Sequence, residues 1–383
     1  MKHTVTLTER RPRVMRLPRT EIAFLLGPAR HLIDLAPTAE RNRYQLTPRG
    51  YVGFLNGPGV RYVIRSKVPW PNLRLILGLA PDPAGAPWCA TGDLLAVLAT
   101  EFADRLEVAT KGGLLAGYGE TSTIATYPRG KLRTADHMRD PASGAVSDGS
   151  QIDEQVFDLN THWNQLPKAT ATALLRAPLP VAVRTRIEAA AAPLAPVADV
   201  PPTEPAFAAA YGDPRAAGYH PLLDVCRLIL HGLACADPTG QEGVSFLIDL
   251  GNAFERYITT ELARELSRKP LWRVEAHPSY ALGPTVLTPD ILLRKAGVPQ
   301  VVLDAKWKAA APDAADLHQV LAYAAMTGAP RAGLIYPGRT DARETFAIPD
   351  EKVRVSRHCV RVIGTPAELQ QSLALLARGV RRG

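Results

Sequence analysis

Apolar positions along this chain follow two periods, and the changes between them mark out its elements. Thr4-Val5-Thr6-Leu7-Thr8 alternates like a strand, and an arginine-rich stretch follows with Arg10, Arg11, Arg13, Arg16 and Arg19. Tyr51-Val52-Gly53-Phe54-Leu55 and Val60-Arg61-Tyr62-Val63-Ile64 flank Asn56-Gly57-Pro58-Gly59, which predicts a hairpin. Residues 93–109 turn to helical spacing through Leu94, Leu95, Val97, Leu98, Phe102 and Leu106. That helix is expected to close a β-rich first domain, residues 1–110.

The middle, residues 111–240, reads as mainly helical, with helices expected at 165–176, 181–192 and 221–235. Residues 189–214 are rich in Ala and Pro and poor in bulky apolar side chains, which predicts a linker or insertion. From about 243 the order becomes helix, strand, strand, strand, helix, strand. Leu247, Leu250, Phe254, Ile258 and Leu262 form a helical stripe with Glu255 at its edge. Strands are expected at 272–277, 285–293 and 300–307, the last two joined by Lys295-Ala296-Gly297-Val298-Pro299. Val301-Val302-Leu303 suggests a strand buried on both faces, residues 314–326 a helix, and Gly333-Leu334-Ile335-Tyr336 another buried strand. The fold class expected is a multidomain α/β (α+β) protein whose third domain, residues 241–383, has a mixed central sheet flanked by helices.

Composition narrows the classes. A hydrophobic fraction of 46% and a charged fraction of 21% argue against gross disorder. No run of eighteen apolar residues appears and the start lacks a secretory stretch, so the expectation is a cytoplasmic protein with no membrane partner. Cys89, Cys226, Cys235 and Cys359 lie far apart without a CxxC pair and read as free thiols, not zinc or iron–sulfur ligands. Counting Lys and Arg against Asp and Glu divides the +8 net charge into about +6, −2 and +4 for the three regions. Both ends therefore attract acidic partners, nucleic acid among them.

Candidate chemistry gathers in the last domain. Asp290 follows Pro289 inside an apolar strand, and Asp304 ends the next, two residues before Lys306. Adjacent strands bring such carboxylates together. Mg²⁺ prefers oxygen ligands and uses one or two carboxylates plus waters and phosphate oxygens, to which the Ala305 carbonyl can add. An adjacent amine such as Lys306 orients the attacking water or helps deprotonate it. Placing Asp-Ala-Lys directly after Val-Val-Leu favours function over a surface ion pair, since unpaired charge beside a buried sheet is costly. Glu255 reaches in from the preceding helix, and Gln319 and Tyr323, at i and i+4, share a helical face.

The arrangement Glu255, Pro289-Asp290, Asp304-Ala305-Lys306 and Gln319 to Tyr323 resembles the PD-(D/E)xK nuclease superfamily with its QxxxY motif. Tyr51-Val52-Gly53, Gly113-Leu114-Leu115-Ala116-Gly117-Tyr118, Arg129-Gly130-Lys131-Leu132, Pro221-Leu222-Leu223-Asp224 and Phe254-Glu255-Arg256-Tyr257, in that order, resemble the McrC family. The likeness spans about residues 50–330, departing at Arg65-Ser66-Lys67, where the family tends to carry Pro-Lys. It implies a Mg²⁺-dependent (alternatively Mn²⁺-dependent) DNA endonuclease of a restriction system, leaving 5′-phosphates. Asp290, Asp304, Ala305 and Glu255 would hold the metal, Lys306 the water, and Gln319 with Tyr323 the substrate side. No GxxxxGK[ST] loop occurs, so nucleotide hydrolysis falls to a partner, by resemblance a hexameric AAA+ GTPase of the McrB type docked on residues 1–110. The alternatives are a stand-alone type II or RecB-like nuclease and a non-catalytic adaptor that stimulates a motor.

Overall fold

The computed structural model describes residues 2–79, 94–125, 131–132, 150–235, 244–308, 312–347 and 353–382. Cys89, Arg129 and Gly130 lie outside the described residues, as does the first residue of the helix expected at 93–109. The chain divides into two compact units, one of Met1–Asp93 with Gly232–Gly383 and the other of Leu94–His231. This differs from the three consecutive domains expected from sequence. The reason is a strand from late in the chain that completes the first sheet.

That sheet starts with β1 (His3–Thr8), whose alternation buries Val5 and Leu7. Next come β2 (Arg13–Arg16), α1 (Arg19–Leu26), β3 (Ile33–Pro37) and β4 (Arg43–Pro48), with the three strands paired in the order β2-β4-β3. The hairpin forms where expected, as β5 (Tyr51–Asn56) and β6 (Val60–Arg65), and β1 lies parallel to β6. Helix α2 (Trp70–Ile76) follows. The strand Phe246–Asp249 then pairs antiparallel with β5. Gly53 permits that pairing: its φ is +130°, and a Cβ there would lie 2.2 Å from the Phe246 carbonyl oxygen.

The second unit contains α3 (Leu94–Thr110), β7 (Gly117–Ala125), β8 (Lys131–Leu132), β9 (Ser150–Asp158), α4 (His162–Arg176), α5 (Val181–Ala191), α6 (Glu204–Gly212) and most of α7 (His220–Cys235). Helix α3, expected to close the first domain, belongs here. The antiparallel sheet β7-β9-β8 was not expected in a mainly helical region. Residues 189–214 are folded in the main and are not a linker: Leu194, Val197, Phe207 and Ala210 are buried, and Thr203 Oγ1 caps α6 by accepting from Ala206 N–H at 3.3 Å. Alanine favours helix and packs closely with little bulk, so a buried segment can look like a linker in composition. Cys226 and Cys359 are free, and burial pushes the Cys226 thiol up to about 12.

The first unit resumes with β10 (Phe246–Asp249) and α8 (Leu250–Leu266). Leu247, expected on the helical stripe, is in the strand. The helix begins at Leu250 because Asp249 Oδ1 accepts from Gly251 N–H at 2.7 Å and Asn252 N–H at 3.2 Å. A second sheet follows, built from β11 (Trp272–Ala276), β14 (Ile291–Lys295), β15 (Val298–Ala305), β16 (Arg331–Gly338), β17 (Ala342–Ala347) and β18 (Arg354–Arg361) in the order β11-β14-β15-β16-β18-β17. It is mixed: β15, β16 and β18 are parallel, and the remaining pairings are antiparallel. The strand expected at 285–293 is two: β12 (Tyr280–Leu282) pairs with β13 (Thr285–Leu287), and β14 starts after Thr288-Pro289-Asp290. Pro289 supplies no N–H for a ladder there. Ala296 (φ 50°) and Gly297 (φ 82°) turn β14 into β15 with the twist a two-residue hairpin needs. Helix α9 (Ala314–Thr327) buries Val320, Tyr323 and Ala324 against Leu292, Val302, Ala332, Leu334 and Val355, and α10 (Pro366–Arg382) packs against α8 and β18. Among the described residues no helix is long and apolar enough to cross a membrane.

Candidate active site

The sheet brings the two aspartates together by register. Ile291 lies opposite Leu303, so the next step sets Asp290 level with Asp304. Ala276 lies opposite Ile291, so the same step sets His277 level with Asp290. The row is held by backbone contacts: Ala305 N–H donates to Asp290 Oδ2 at 2.8 Å, and His277 N–H donates to the Asp290 carbonyl at 3.0 Å. Pro289, which breaks the strand, thereby places the Asp290 carboxylate at a strand end.

Asp304 is wholly buried. Lys306 Nζ stands 2.7 Å from its Oδ2, whereas among the described residues Oδ1 has no hydrogen-bond partner. The backbone N–H of Lys306 is fixed to the Ile335 carbonyl at 2.8 Å. Glu255, half-buried on α8, faces the row through His277, with Oε1 3.2 Å from Nδ1. His277 was not singled out in the sequence. A lone histidine after a strand gives no signal, although its φ of 47°, rare for a residue with a Cβ, marks the position in the structure.

Electrostatics follow from crowding acids in a place of low solvation. Burial first, then Glu255, raises the pKa of Asp290; burial first, then Asp290, raises that of Asp304; burial first, then Asp304, raises that of Glu255. Burial opposes the Lys306 ammonium, but Asp304 and Asp290 outweigh it and hold the lysine above its ordinary value. The centre therefore has an excess of negative charge partly balanced by one firmly protonated amine.

Gln319 and Tyr323 are joined to each other, Nε2 donating to the phenol oxygen at 2.8 Å. Asp304, Asp290 and Lys306 all act on the Tyr323 hydroxyl electrostatically, so the pair borders the centre. Among the described residues neither hydrogen-bonds Lys306. A further network not read from sequence adjoins it: Asp316, buried at the start of α9, receives Tyr336 OH at 2.6 Å and Lys308 Nζ at 2.6 Å. Among the described residues no three His, Cys, Asp or Glu side chains converge as a ready cation cage.

A mixed α/β chain, with paired acids and a lysine at one end of a six-stranded sheet, defines a multi-unit protein organised around an acidic centre. Residues 89–337, more than half of the chain, match the McrBC 5-methylcytosine restriction system component family, and the chain belongs to that family. Among solved structures it is similar to the McrC chain of a refined half-complex from the tetradecameric assembly of Thermococcus gammatolerans McrB AAA+ hexamers with bound McrC. That match has a TM-score of 0.56 and 16% identity, and covers 98% of this chain and 100% of that one. A cryo-EM structure of the Thermococcus gammatolerans McrBC complex matches with a TM-score of 0.42 and 17% identity, over 69% of this chain and 88% of that one. No curated protein matches the chain.

Proposed function

We propose that this chain is the DNA-cutting subunit of a McrBC-like restriction system, a Mg²⁺-dependent endonuclease that acts with a hexameric AAA+ GTPase. The observation that carries the reading is Asp304 Oδ1, a buried carboxylate oxygen with no donor among the described residues, level with a second carboxylate and beside a lysine. An oxygen left so is costly unless something positive meets it. The donors fit a hard cation: Asp290 and Asp304 would hold it with the Ala305 carbonyl, and Glu255 would support them. With no three-carboxylate cage among the described residues, waters and phosphate oxygens would complete the shell, as Mg²⁺ prefers, and Mn²⁺ accepts the same ligands. Bound there, the cation would make a coordinated water more acidic and offset charge on the phosphate.

The chain's own residues supply the rest. Lys306, 2.7 Å from Asp304, would donate hydrogen bonds that orient the water and neutralise phosphate charge, or help deprotonate that water. Gln319 and Tyr323 border the substrate side. The absence of a GxxxxGK[ST] loop assigns nucleotide hydrolysis to the partner, and the solved relative named above is bound to AAA+ hexamers. The test is nicking of methylated plasmid by the complex reconstituted with Mg²⁺ and GTP. Asp304→Ala and Lys306→Ala should each abolish cutting and remain folded, and full cleavage by either overturns the assignment.

A further inference from the structure

Residues that the sequence assigned to partner docking reach beneath the cutting centre. Glu9, just past β1, is wholly buried, although a glutamate at that depth needs donors for both oxygens. Its Oε2 accepts from the indole N–H of Trp307 at 2.7 Å, and Oε1 lies 3.3 Å from the Lys67 N–H. Its own N–H continues the first sheet by donating to the Arg65 carbonyl at 3.0 Å. Trp307 is the residue after Lys306. Its ring packs on Phe254, the residue before Glu255, with centroids 5.4 Å apart, and Lys67 Nζ lies 5.4 Å from its centroid. The same sheet grips α8 directly, since Gly50 O accepts from Leu250 N–H at 2.8 Å and β10 leads into that helix.

We propose that Glu9 and Trp307 are positioning residues of the cutting centre, through which the first sheet sets both the Asp304-Ala305-Lys306 segment and the helix bearing Glu255. The inference rests on the reading that this centre cuts DNA. Neither residue touches the carboxylates; each acts through the backbone it holds. Lys306 is bonded directly to the residue whose indole is held, so the indole fixes the backbone from which the amine reaches, and Glu9 supplies the hydrogen bond by which the first sheet holds that indole, with Lys67 against its ring. Displacement of the first sheet is thereby felt at Lys306 and Glu255 together.

The experiment uses the full chain with its partner and compares wild type with Glu9→Ala, Glu9→Gln and Trp307→Phe. Misplacing a catalytic group by about 1 Å costs up to about a hundredfold, so Glu9→Ala and Trp307→Phe should lower kcat for plasmid cleavage about tenfold or more. KM for DNA and the partner's nucleotide turnover should stay within about twofold, since neither residue lies on the substrate side. Glu9→Gln keeps a carbonyl oxygen for the indole N–H and should restore most of kcat. Independently of activity, amide exchange over residues 303–308 should speed up in Glu9→Ala and not in Glu9→Gln, with the rest of the sheet unchanged. Wild-type kcat in all variants, a fall in KM and kcat together, or faster exchange spread over the whole unit would each overturn the proposal. A wild-type complex that never cuts DNA would overturn the proposed function instead, and the exchange comparison would still decide the coupling.

Discussion

Asp304 is a wholly buried carboxylate near the end of β15, and burial first, then Asp290 and Asp316, disfavour its charged form. The sign of its pH dependence follows from the raised pKa: the protonated form is favoured in the fold, so stability present below the ordinary carboxylate value is lost as pH rises through the elevated one. Asp304→Asn should therefore abolish cutting and, against wild type, gain stability by roughly 3 kcal/mol between pH 4 and pH 8. Urea melts at both pH values read this; a difference that shrinks as pH rises would contradict it. His358 has the opposite sign. It is buried, with Nε2 2.9 Å from Ser356 Oγ, and burial with Arg343 pushes it down to about 4. A depressed histidine loses stability as pH falls from about 6.5 towards 4, by roughly 3 kcal/mol in all. The stability advantage of wild type over His358→Gln should shrink by that order across this range, and an unchanged difference would show the imidazole to be solvated.

Elements were legible where the pattern was both regular and long. Val301-Val302-Leu303 gave its strand, and Asn56-Gly57-Pro58-Gly59 its turn, because apolar runs and turn chemistry are local. Asp290, Asp304 and Lys306 were legible for the same reason, as charges interrupting such runs. Leu247 misled because strand β10 leads straight into α8, so an apolar residue of the strand fell in step with the helical stripe. Glu9 and His277 were illegible because their partners, Trp307 and Glu255, are set by tertiary pairing and not by spacing. Residues 189–214 misled by composition, and that error is testable. Phe207 is buried in α6, so Phe207→Ala should destabilise the second unit by about 3 kcal/mol or more. A linker residue would change the urea midpoint negligibly.

At the scale of the whole molecule, the boundary expected at residue 110 falls at the end of α3, inside the second unit and not between the two. Removing residues 1–110 would take β1, β5 and β6 from the sheet that β10 completes, and α3 from the second unit. Loss of partner binding after that deletion would report unfolding, so docking is better probed by substituting the exposed Arg13, Arg16 and Arg65. The chain nevertheless has a built acidic centre and no phosphate loop, and it carries +8 net charge. If the chain cuts DNA as proposed, its basic charge would find DNA through phosphate contacts, which carry no sequence information and tighten as salt falls. Left free, it would then cut without discrimination, and discrimination would have to come from whatever activates it. We therefore expect the isolated chain to cut plasmid DNA poorly at physiological salt, and to cut only with its AAA+ partner and hydrolysable nucleotide. Lowering the salt should strengthen DNA binding by the chain alone without restoring cleavage, because binding and activation are separate steps. Gel shift and plasmid nicking on the same samples distinguish them. Rapid double-strand cleavage by the chain alone, equal with and without nucleotide, would make it a stand-alone restriction enzyme.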